Sequence, residues 1–437
     1  MVEIPKSGKD GPVMVLSFDG GGVRSLSSLL IIERIMETIQ TELEASEPPK
    51  PCQVFDFIGG SGTGGIIAIL LGRLAMSAAE AIFEYKSIIG KAFTQDPQLD
   101  GSLQGRHGSS VELSVPRLEE AIKDTISKYE SKRVREILPA HNPANESLHG
   151  DALYCNKSCV KTMVLARTRV NIDTPPTLLK TCHATGAFAK CKIWEVARAT
   201  SAAVQIFDSI KMGRENIEFI DASFGSNNPS EHVIKAAKSV FKDYKMVIAS
   251  IGTGLGDTIK LEDTKDNSVA KSLKMMAESS KIEDMRLKEV YRGTGTYHRF
   301  NVGSNLRDIT AWDWDIKGKI PGHTINYLEE DTKSIESYVT VIKDLGFQLG
   351  QQNSILVANI EVNYGVLDVD FYNFDETGFM MGMISSAMLV ASSERRGKAK
   401  TVQPGHREWV TVILGINAER WVIPPFNVVK GSYHLGS

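Results

Sequence analysis

Residues 54–65 read VFDFIGGSGTGG, a short apolar run that passes into a glycine-rich turn and continues as the apolar stretch 66–76. This order is typical of a buried strand, a tight turn and a helix. Residues 13–24, VMVLSFDGGGVR, have the same order and are followed by a helical pattern over 25–43. Two such units predict parallel strands connected by crossover helices.

The rest of the first 250 residues continues this alternation. Apolar runs predict further strands over 160–169 and 246–251, and residues 193–203 have a helical pattern. A helix is predicted to start after Ser77, because Glu80 stands three residues later in the spacing of a capping box. The alternation predicts an α/β fold with a mostly parallel central sheet and helices on both faces.

The composition describes a globular protein rather than a nucleic-acid binder. The chain has 437 residues, of which 42% are hydrophobic and 24% charged, and a formal net charge of −3. This is enough apolar material for at least one large core. Without a dominant basic block or a net positive charge, nucleic acid is excluded as the main partner.

The N-terminal apolar run and the cysteines bear on location and metals. The run before Asp19 is shorter than a signal peptide or a membrane span. Five cysteines in a chain of this length favour free thiols and a cytoplasmic location. The pairs Cys155/Cys159 and Cys182/Cys191, with His183, could form a zinc site, but free thiols are the preferred interpretation. We expect neither a metal nor a cofactor.

The triple glycine of the first turn permits two interpretations. Successive backbone N–H groups at Gly20, Gly21 and Gly22 can hold an anion or a developing oxyanion at a helix start. The same glycines can simply form a tight strand-to-helix turn.

The second turn permits two interpretations as well. The pattern Gly60-x-Gly62-x-x-Gly65 satisfies the local dinucleotide fingerprint, but the acidic residues at the required distance, Glu80 and Glu84, fall within a helical pattern. The alternative is a nucleophile elbow, in which a residue between glycines exposes its side chain at a sharp turn.

Four motifs in order resemble the patatin-like phospholipases, particularly their fungal members. They are DGGGVR at 19–24, FDFIGGSGTGG at 55–65, WEVARATSAA at 194–203 and DAS at 221–223 ahead of NNP at 227–229. The resemblance implies a patatin-like domain over 12–330 and a C-terminal α/β extension over 331–437.

The resemblance also implies site residues. The first turn would supply an oxyanion hole from Gly20, Gly21 and Gly22, with Arg24 beside it. Asp221 matches the aspartate that activates the family's elbow serine without a histidine.

This chain departs from the family at two motifs. The family's G-T-S-T-G becomes Gly60-Ser61-Gly62-Thr63-Gly64, so a glycine stands at the position of the nucleophile, and D-G-[G/A] becomes Asp221-Ala222-Ser223. A glycine cannot form an acyl-enzyme. Ser61 and Thr63 are the alternative nucleophiles, although each has only one of the two flanking glycines that an elbow requires.

These observations lead to three functional hypotheses. The first is a patatin-fold protein that binds a lipid-like or apolar ligand, either as a pseudoenzyme or with acid–base chemistry at Asp221 and the glycine turn. The second is a lipid acyl hydrolase that uses Ser61 or Thr63, and the third is a dinucleotide-binding enzyme. We also expect transient contact with a membrane surface. Arg198 is expected to have a structural role. The sequence does not determine the oligomeric state.

Overall fold

The computed structural model describes residues 11–92, 115–137, 150–156, 159–182, 186–203, 207–254, 273, 275–277, 279–303, 306, 309, 318–347, 372–380, 409–417 and 426–429. For 133–137 and the last three of these ranges it describes the backbone only. The chain divides into two compact units, Met1–Ile355 and Leu356–Ser437.

Eight strands of the first unit form one mixed sheet in the described part of the chain. They are β1 Val13–Phe18, β2 Phe57–Ser61, β3 Lys161–Thr168, β4 Thr177–Lys180, β5 Ile210–Met212, β6 Ile217–Asp221, β7 Met246–Ile251 and β8 Tyr297–Phe300. The order is β5-β6-β3-β2-β1-β7-β8, with β4 also paired to β3. The strands β3, β2, β1, β7 and β8 run parallel, whereas β4, β5 and β6 enter through antiparallel pairings.

Helices follow most of the strands. They are α1 Ser25–Glu42, α2 Pro51–Val54, α3 Thr63–Ala68, α4 Ala78–Ala92, α5 Val115–Ile137, α6 Ile193–Ser201, α7 Ser223–Ser226, α8 Ser230–Val240, α9 Lys281–Val290, α10 Lys319–Glu330 and α11 Thr332–Asp344. A π-helical turn, Ile69–Arg73, continues α3. None of the described helices has both the length and the apolar character needed to cross a membrane.

The sheet is covered on both faces, as predicted. Successive side chains of a strand point to opposite faces. Leu16 and Phe18 of β1 accordingly pack into a large core that contains α1, α3 and α4, while Val13 and Val15 pack into a second core that contains α8. All six residues of β1 are buried, which explains why a strand in the middle of the sheet is apolar without alternation.

The sequence patterns located the elements that carry the glycine turns. The strands β1 and β7 have the predicted ends, and α1 ends within one residue of its prediction. The capping box at the start of α4 is also confirmed: Glu80 N donates to Ser77 Oγ at 3.2 Å and Ser77 N donates to Glu80 Oε2 at 2.9 Å. The glycine- and serine-rich stretch 96–114 lies outside the described residues.

The domain boundary expected at residue 330 lies inside the first unit. Helix α11 follows it directly and buries Tyr338, Val339 and Ile342 in the core that contains α1. In the second unit the described residues are three antiparallel strands, β9 Tyr372–Met380, β10 Trp409–Asn417 and β11 Phe426–Val429, in the order β11-β10-β9.

The strand register brings the first glycine turn, the elbow and Asp221 to the same edge of the sheet. Phe18 of β1 pairs with Gly60 of β2, so the first turn and the elbow leave the sheet side by side. Asp221 ends β6 opposite Ala166 of β3, and β3 pairs in parallel with β2 to the end of β2. Asp221 therefore lies near Gly62, the residue that follows β2.

Candidate active site

Gly62 forms the tip of the turn between β2 and α3. Its dihedral angles are φ 58° and ψ −132°, and it is the residue that precedes the first turn of α3. Its carbonyl oxygen accepts hydrogen bonds from Gly65 N at 2.9 Å and Ile66 N at 3.3 Å. A positive φ at a sharp strand-to-helix turn is the strained conformation of a nucleophile elbow. The backbone thus has the elbow conformation, although its tip has no side chain.

The glycines on either side of the tip are required by packing. A Cβ at Gly60 would overlap the carbonyl oxygen of Gly64, and a Cβ at Gly64 would lie 2.6 Å from the carbonyl oxygen of Phe18 and overlap that of Asp19. Because those obstacles are backbone atoms, they cannot rotate away. Packing also requires the third glycine of the nucleotide-like pattern, because a Cβ at Gly65 would lie 2.6 Å from Thr200 Oγ1. The glycine spacing is therefore explained without a bound nucleotide.

A carboxylate lies beside the tip. A Cβ at Gly62 would lie 3.1 Å from Asp221 Oδ1 and 3.2 Å from Asp221 Oδ2. Asp221 Oδ1 also accepts a hydrogen bond from Ser223 N at 2.7 Å, and Asp221 N donates to Ala202 O at 2.9 Å. Asp221 is half-buried. Because of these two hydrogen bonds, its carboxylate is held in place next to the elbow.

The hydroxyl of Ser223 reaches the tip of the elbow. Its Oγ overlaps the position that a Cβ of residue 62 would take, and it also overlaps the position of a Cβ at Gly20. Ser223 Oγ is buried and has no hydrogen-bond partner among the described residues. Glycine at positions 20 and 62 leaves the space in which this hydroxyl lies.

The backbone N–H groups of the first turn are bonded within the protein. Gly20 N donates to Asn227 O at 3.1 Å. Gly21 N and Gly22 N donate to Thr63 Oγ1 at 3.2 and 2.9 Å. In this conformation the predicted anion cradle is therefore filled by the protein's own acceptors, and an oxyanion would have to displace or share them.

The Thr63 hydroxyl is saturated. It accepts the two glycine N–H groups and lies 2.6 Å from Ser25 Oγ. A hydroxyl has two lone pairs and one proton, so the third contact uses the Thr63 proton. Thr63 connects the elbow to the first turn, and this leaves it no proton to give to a base.

Ser61 is placed differently. It is fully buried at the end of β2, and its Oγ has no hydrogen-bond partner in the described part of the protein. Because a buried strand residue does not face an incoming substrate, the position of Ser61 argues against a role as nucleophile. The sequence-based alternatives at Ser61 and Thr63 thus have no support from the geometry.

A buried ion pair anchors the first turn from the other side. Arg299 of β8 donates to Asp19 Oδ1 at 2.8 Å and also bonds Asp19 Oδ2, and both side chains are nearly inaccessible to solvent. Burial raises the pKa of Asp19, and the neighbouring guanidinium opposes that shift. The Asp19 carboxylate in turn raises the pKa of Arg299 and keeps it charged despite its burial. Thr253 Oγ1 adds a hydrogen bond to Gly20 O at 2.9 Å.

The two other arginines considered from the sequence have different surroundings. Arg24 is half-buried beside the first turn, and its Nε donates to Gly21 O at 3.5 Å. Arg198 is 1% exposed, pairs with Glu119 at 3.2 Å and donates to Asp208 O at 2.9 Å. Arg198 thus has the surroundings expected of a structural residue.

The acidic residues of the dinucleotide hypothesis are engaged elsewhere. Glu80 caps α4 and pairs with Lys132, while Glu84 is buried and pairs with Lys128. Within the described ranges, no group of three or more histidine, cysteine or acidic side chains could hold a metal ion. The five cysteines are free thiols, and His183 lies outside the described residues.

Comparison with known proteins decides the family. A family model described as patatin-like phospholipase matches residues 16–234. The chain belongs to the patatin-like phospholipase family. The matched residues include the first glycine turn, the elbow and Asp221, which are the parts that the sheet brings to one edge.

Individual relatives match shorter shares of their own length. The chain is 25% identical over 296 residues to the mouse calcium-independent phospholipase A2-gamma, and the match covers 66% of this chain and 35% of that protein. It is 22% identical over 307 residues to phospholipase A I of Arabidopsis thaliana, covering 58% and 21%. It is also 53% identical over 77 residues to the MFS-type transporter clz9 of Cochliobolus lunatus, covering 18% and 8%. The chain thus spans about a third or less of each of these relatives.

Three residues of the site were not assigned from the sequence. Ser223 was noted only as part of a departure from the family motif, and neither Arg299 nor Thr253 was singled out. The one available signal was the pair of departures at Gly62 and Ser223, since a serine is lost at one motif and gained at the other.

Proposed function

We propose that this patatin-like protein binds the acyl ester of a lipid-like molecule at the edge formed by the elbow, the first turn and Asp221, and that residue 62 is not its nucleophile. Membership in the patatin-like phospholipase family supports the lipid class of ligand. The observation that carries the proposal is the carboxylate of Asp221 beside an elbow tip that has no side chain.

The arrangement has a defined chemistry. A carboxylate next to the tip can accept a proton from a hydroxyl or a water molecule. The tip lies at the amino end of α3, where the helix dipole favours negative charge. In this proposal Asp221 is the base, and Gly20, Gly21 and Gly22 surround the ester. Arg24 lies where it can meet an anionic head group.

The second candidate is binding without turnover. It is favoured by the internal hydrogen bonds of Gly20, Gly21 and Gly22, because an oxyanion would have to displace or share their acceptors, Asn227 O and Thr63 Oγ1. Both candidates require a lipid-like ligand at this edge. Contact with a membrane surface and a cytoplasmic location are part of the same proposal.

Binding can be tested apart from turnover with a short-chain diether phosphatidylcholine, which has no ester to hydrolyse. We expect saturable binding by calorimetry. Arg24→Glu should weaken it about tenfold, which is about 1.4 kcal/mol. Arg34→Glu is the matched control, because Arg34 lies on α1, which follows the turn, and its side chain is exposed. Absence of saturable binding by the unaltered protein, or an equal loss in both variants, would contradict the proposal.

A further inference from the structure

The hydroxyl nearest to the elbow tip belongs to a different strand-to-helix connection. Ser223 follows Asp221 by two residues, at the start of α7, and its Oγ is close enough to overlap with a Cβ at residue 62. Residue 223 is half-buried, and Gly225 in the same short helix is exposed. The connection that carries Ser223 therefore lies at the surface of this edge.

The bonding of Ser223 is unusual for a structural residue. Its N–H is used, since it donates to Asp221 Oδ1 at 2.7 Å. Its Oγ is buried with no partner in the described part of the chain, although a buried hydroxyl normally finds one. Leaving such a group unsatisfied costs about 1–3 kcal/mol. Ser61 Oγ also lacks a partner within the described residues, but Ser61 belongs to a fully buried strand, whereas residue 223 is half-buried next to Asp221. The position of Ser223 at this edge therefore points to a use for its hydroxyl.

We infer that Ser223 is the nucleophile of this protein, with Asp221 as its base. Its hydroxyl takes the place of the family's elbow serine, but it reaches the tip from α7 instead of from the turn between β2 and α3. This inference rests on the proposed function, since it requires an acyl ester at this edge. Asp221 lies on one side of the tip and Ser223 Oγ lies beside the tip. In this conformation Ser223 Oγ makes no hydrogen bond to the Asp221 carboxylate, so proton transfer requires the Ser223 side chain to turn toward Asp221.

The reaction is an ordinary acyl transfer. Ser223 Oγ bonds to the carbonyl carbon of the ester while its proton passes to the Asp221 carboxylate, giving a tetrahedral oxyanion. The bond from that carbon to the alcohol oxygen then breaks, and the alcohol leaves with the proton from Asp221. Water attacks the acyl group on Ser223, gives one proton to Asp221 and releases the fatty acid, and the proton returns to Ser223 Oγ.

Gly62 and Ser223 are a matched pair in this mechanism. A side chain at residue 62 would collide with Ser223 Oγ, so the two hydroxyls exclude each other in this conformation. Gly20 is matched in the same way, because a Cβ there would also meet Ser223 Oγ. A serine restored at position 62 alone should therefore not act normally, whereas Gly62→Ser combined with Ser223→Ala returns a single hydroxyl to the tip.

The test is release of hexanoic acid from dihexanoyl phosphatidylcholine. We expect hydrolysis by the unaltered protein, a loss on the order of 10³-fold or more in Ser223→Ala, and recovery of part of it in Gly62→Ser/Ser223→Ala. Ser61→Ala is the matched control, because Ser61 also has a buried hydroxyl without a partner at this edge. It should keep its activity.

Binding of the diether lipid distinguishes a failure of the proposed role of Ser223 from a failure of the proposed lipid-binding function. If the unaltered protein binds the diether but releases no acid from the ester, or if Ser223→Ala hydrolyses as well as the unaltered protein, the role of Ser223 is wrong while the proposed function stands. Failure to bind the diether contradicts the proposed function itself. Full binding in Ser223→Ala with hydrolysis lost is the result that supports both.

Discussion

Two hydroxyls at the same edge of the sheet have opposite surroundings. Thr63 Oγ1, one residue after the elbow tip, uses both lone pairs and its proton on Gly21, Gly22 and Ser25. Ser223 Oγ, which lies at the tip, has no partner among the residues that the structure describes. The sequence alone would favour Thr63 over Ser223 as a nucleophile because Thr63 belongs to the elbow motif.

The difference separates a structural hydroxyl from a reactive one. A hydroxyl with every hydrogen-bonding position used stabilises the fold and has no proton to lose. A buried hydroxyl with none used contributes no hydrogen bond to stability. Such a hydroxyl can react only where a substrate can reach it, and residue 223 is half-buried at the elbow tip, whereas Ser61 is fully buried in β2. The comparison therefore predicts that changes around Thr63 affect the free energy of unfolding, whereas changes at Ser223 affect turnover.

The largest effect on stability is expected where the turn held by Thr63 is anchored. Arg299→Met leaves Asp19 buried without its guanidinium, which should lower the free energy of unfolding by about 3–5 kcal/mol. Urea unfolding measures it. Arg292→Met is the control, because that arginine is 77% exposed in a surface pair and should change stability by no more than about 0.5 kcal/mol. Similar losses in both variants would show that the turn is not anchored in this way.

The second test addresses the exclusion between residues 62 and 223. Gly62→Ser should cost about 1–3 kcal/mol, because a side chain there has a positive φ and meets Ser223 Oγ. Adding Ser223→Ala should recover part of that cost, with a coupling of about 0.5–3 kcal/mol in a double-mutant cycle. Additive effects in the cycle would mean that the two positions do not compete for the same space.

The third stability test compares the Thr63 and Ser223 hydroxyls directly. Thr63→Val should lower the free energy of unfolding by about 1–3 kcal/mol, since it removes the acceptor of two backbone N–H groups. Thr63→Ser, which keeps the hydroxyl, should lose less. Ser223→Ala should not lower the free energy of unfolding and should raise it by up to about 1–3 kcal/mol, because it removes a buried hydroxyl that has no partner among the described residues. Thermal unfolding that ranks Ser223→Ala below Thr63→Val would reverse the assignment.

Much of the fold could be predicted because its signals are local. An apolar run before a glycine turn fixes where β1 ends, and parallel pairing then places both turns at one edge. The end of β2 was predicted less well, because that strand continues through Gly59 and Gly60 to Ser61. Asp221 reaches the same edge on an antiparallel strand, which the sequence pattern did not indicate. The motif alone was enough to select the aspartate, but not the direction of its strand.

The remaining parts of the site depend on side-chain directions across long separations. Nothing in a list of residues shows that the Thr63 hydroxyl faces Gly21 and Gly22, and this bonding is what fills the expected oxyanion cradle. The approach of Ser223 to Gly62 and the pairing of Arg299 with Asp19 are of the same kind. The sequence recorded a serine lost at one motif and one gained at another, and only the fold brings the two positions together.

The central claim is that the reactive hydroxyl at the elbow tip belongs to residue 223. A fluorophosphonate probe, followed by digestion and mass spectrometry, reports which hydroxyl forms the covalent adduct. We expect an adduct on the peptide that contains Ser223, absent in Ser223→Ala and unchanged in Ser61→Ala. An adduct on Ser61 or Thr63, or no adduct on any serine or threonine of this edge, would contradict it.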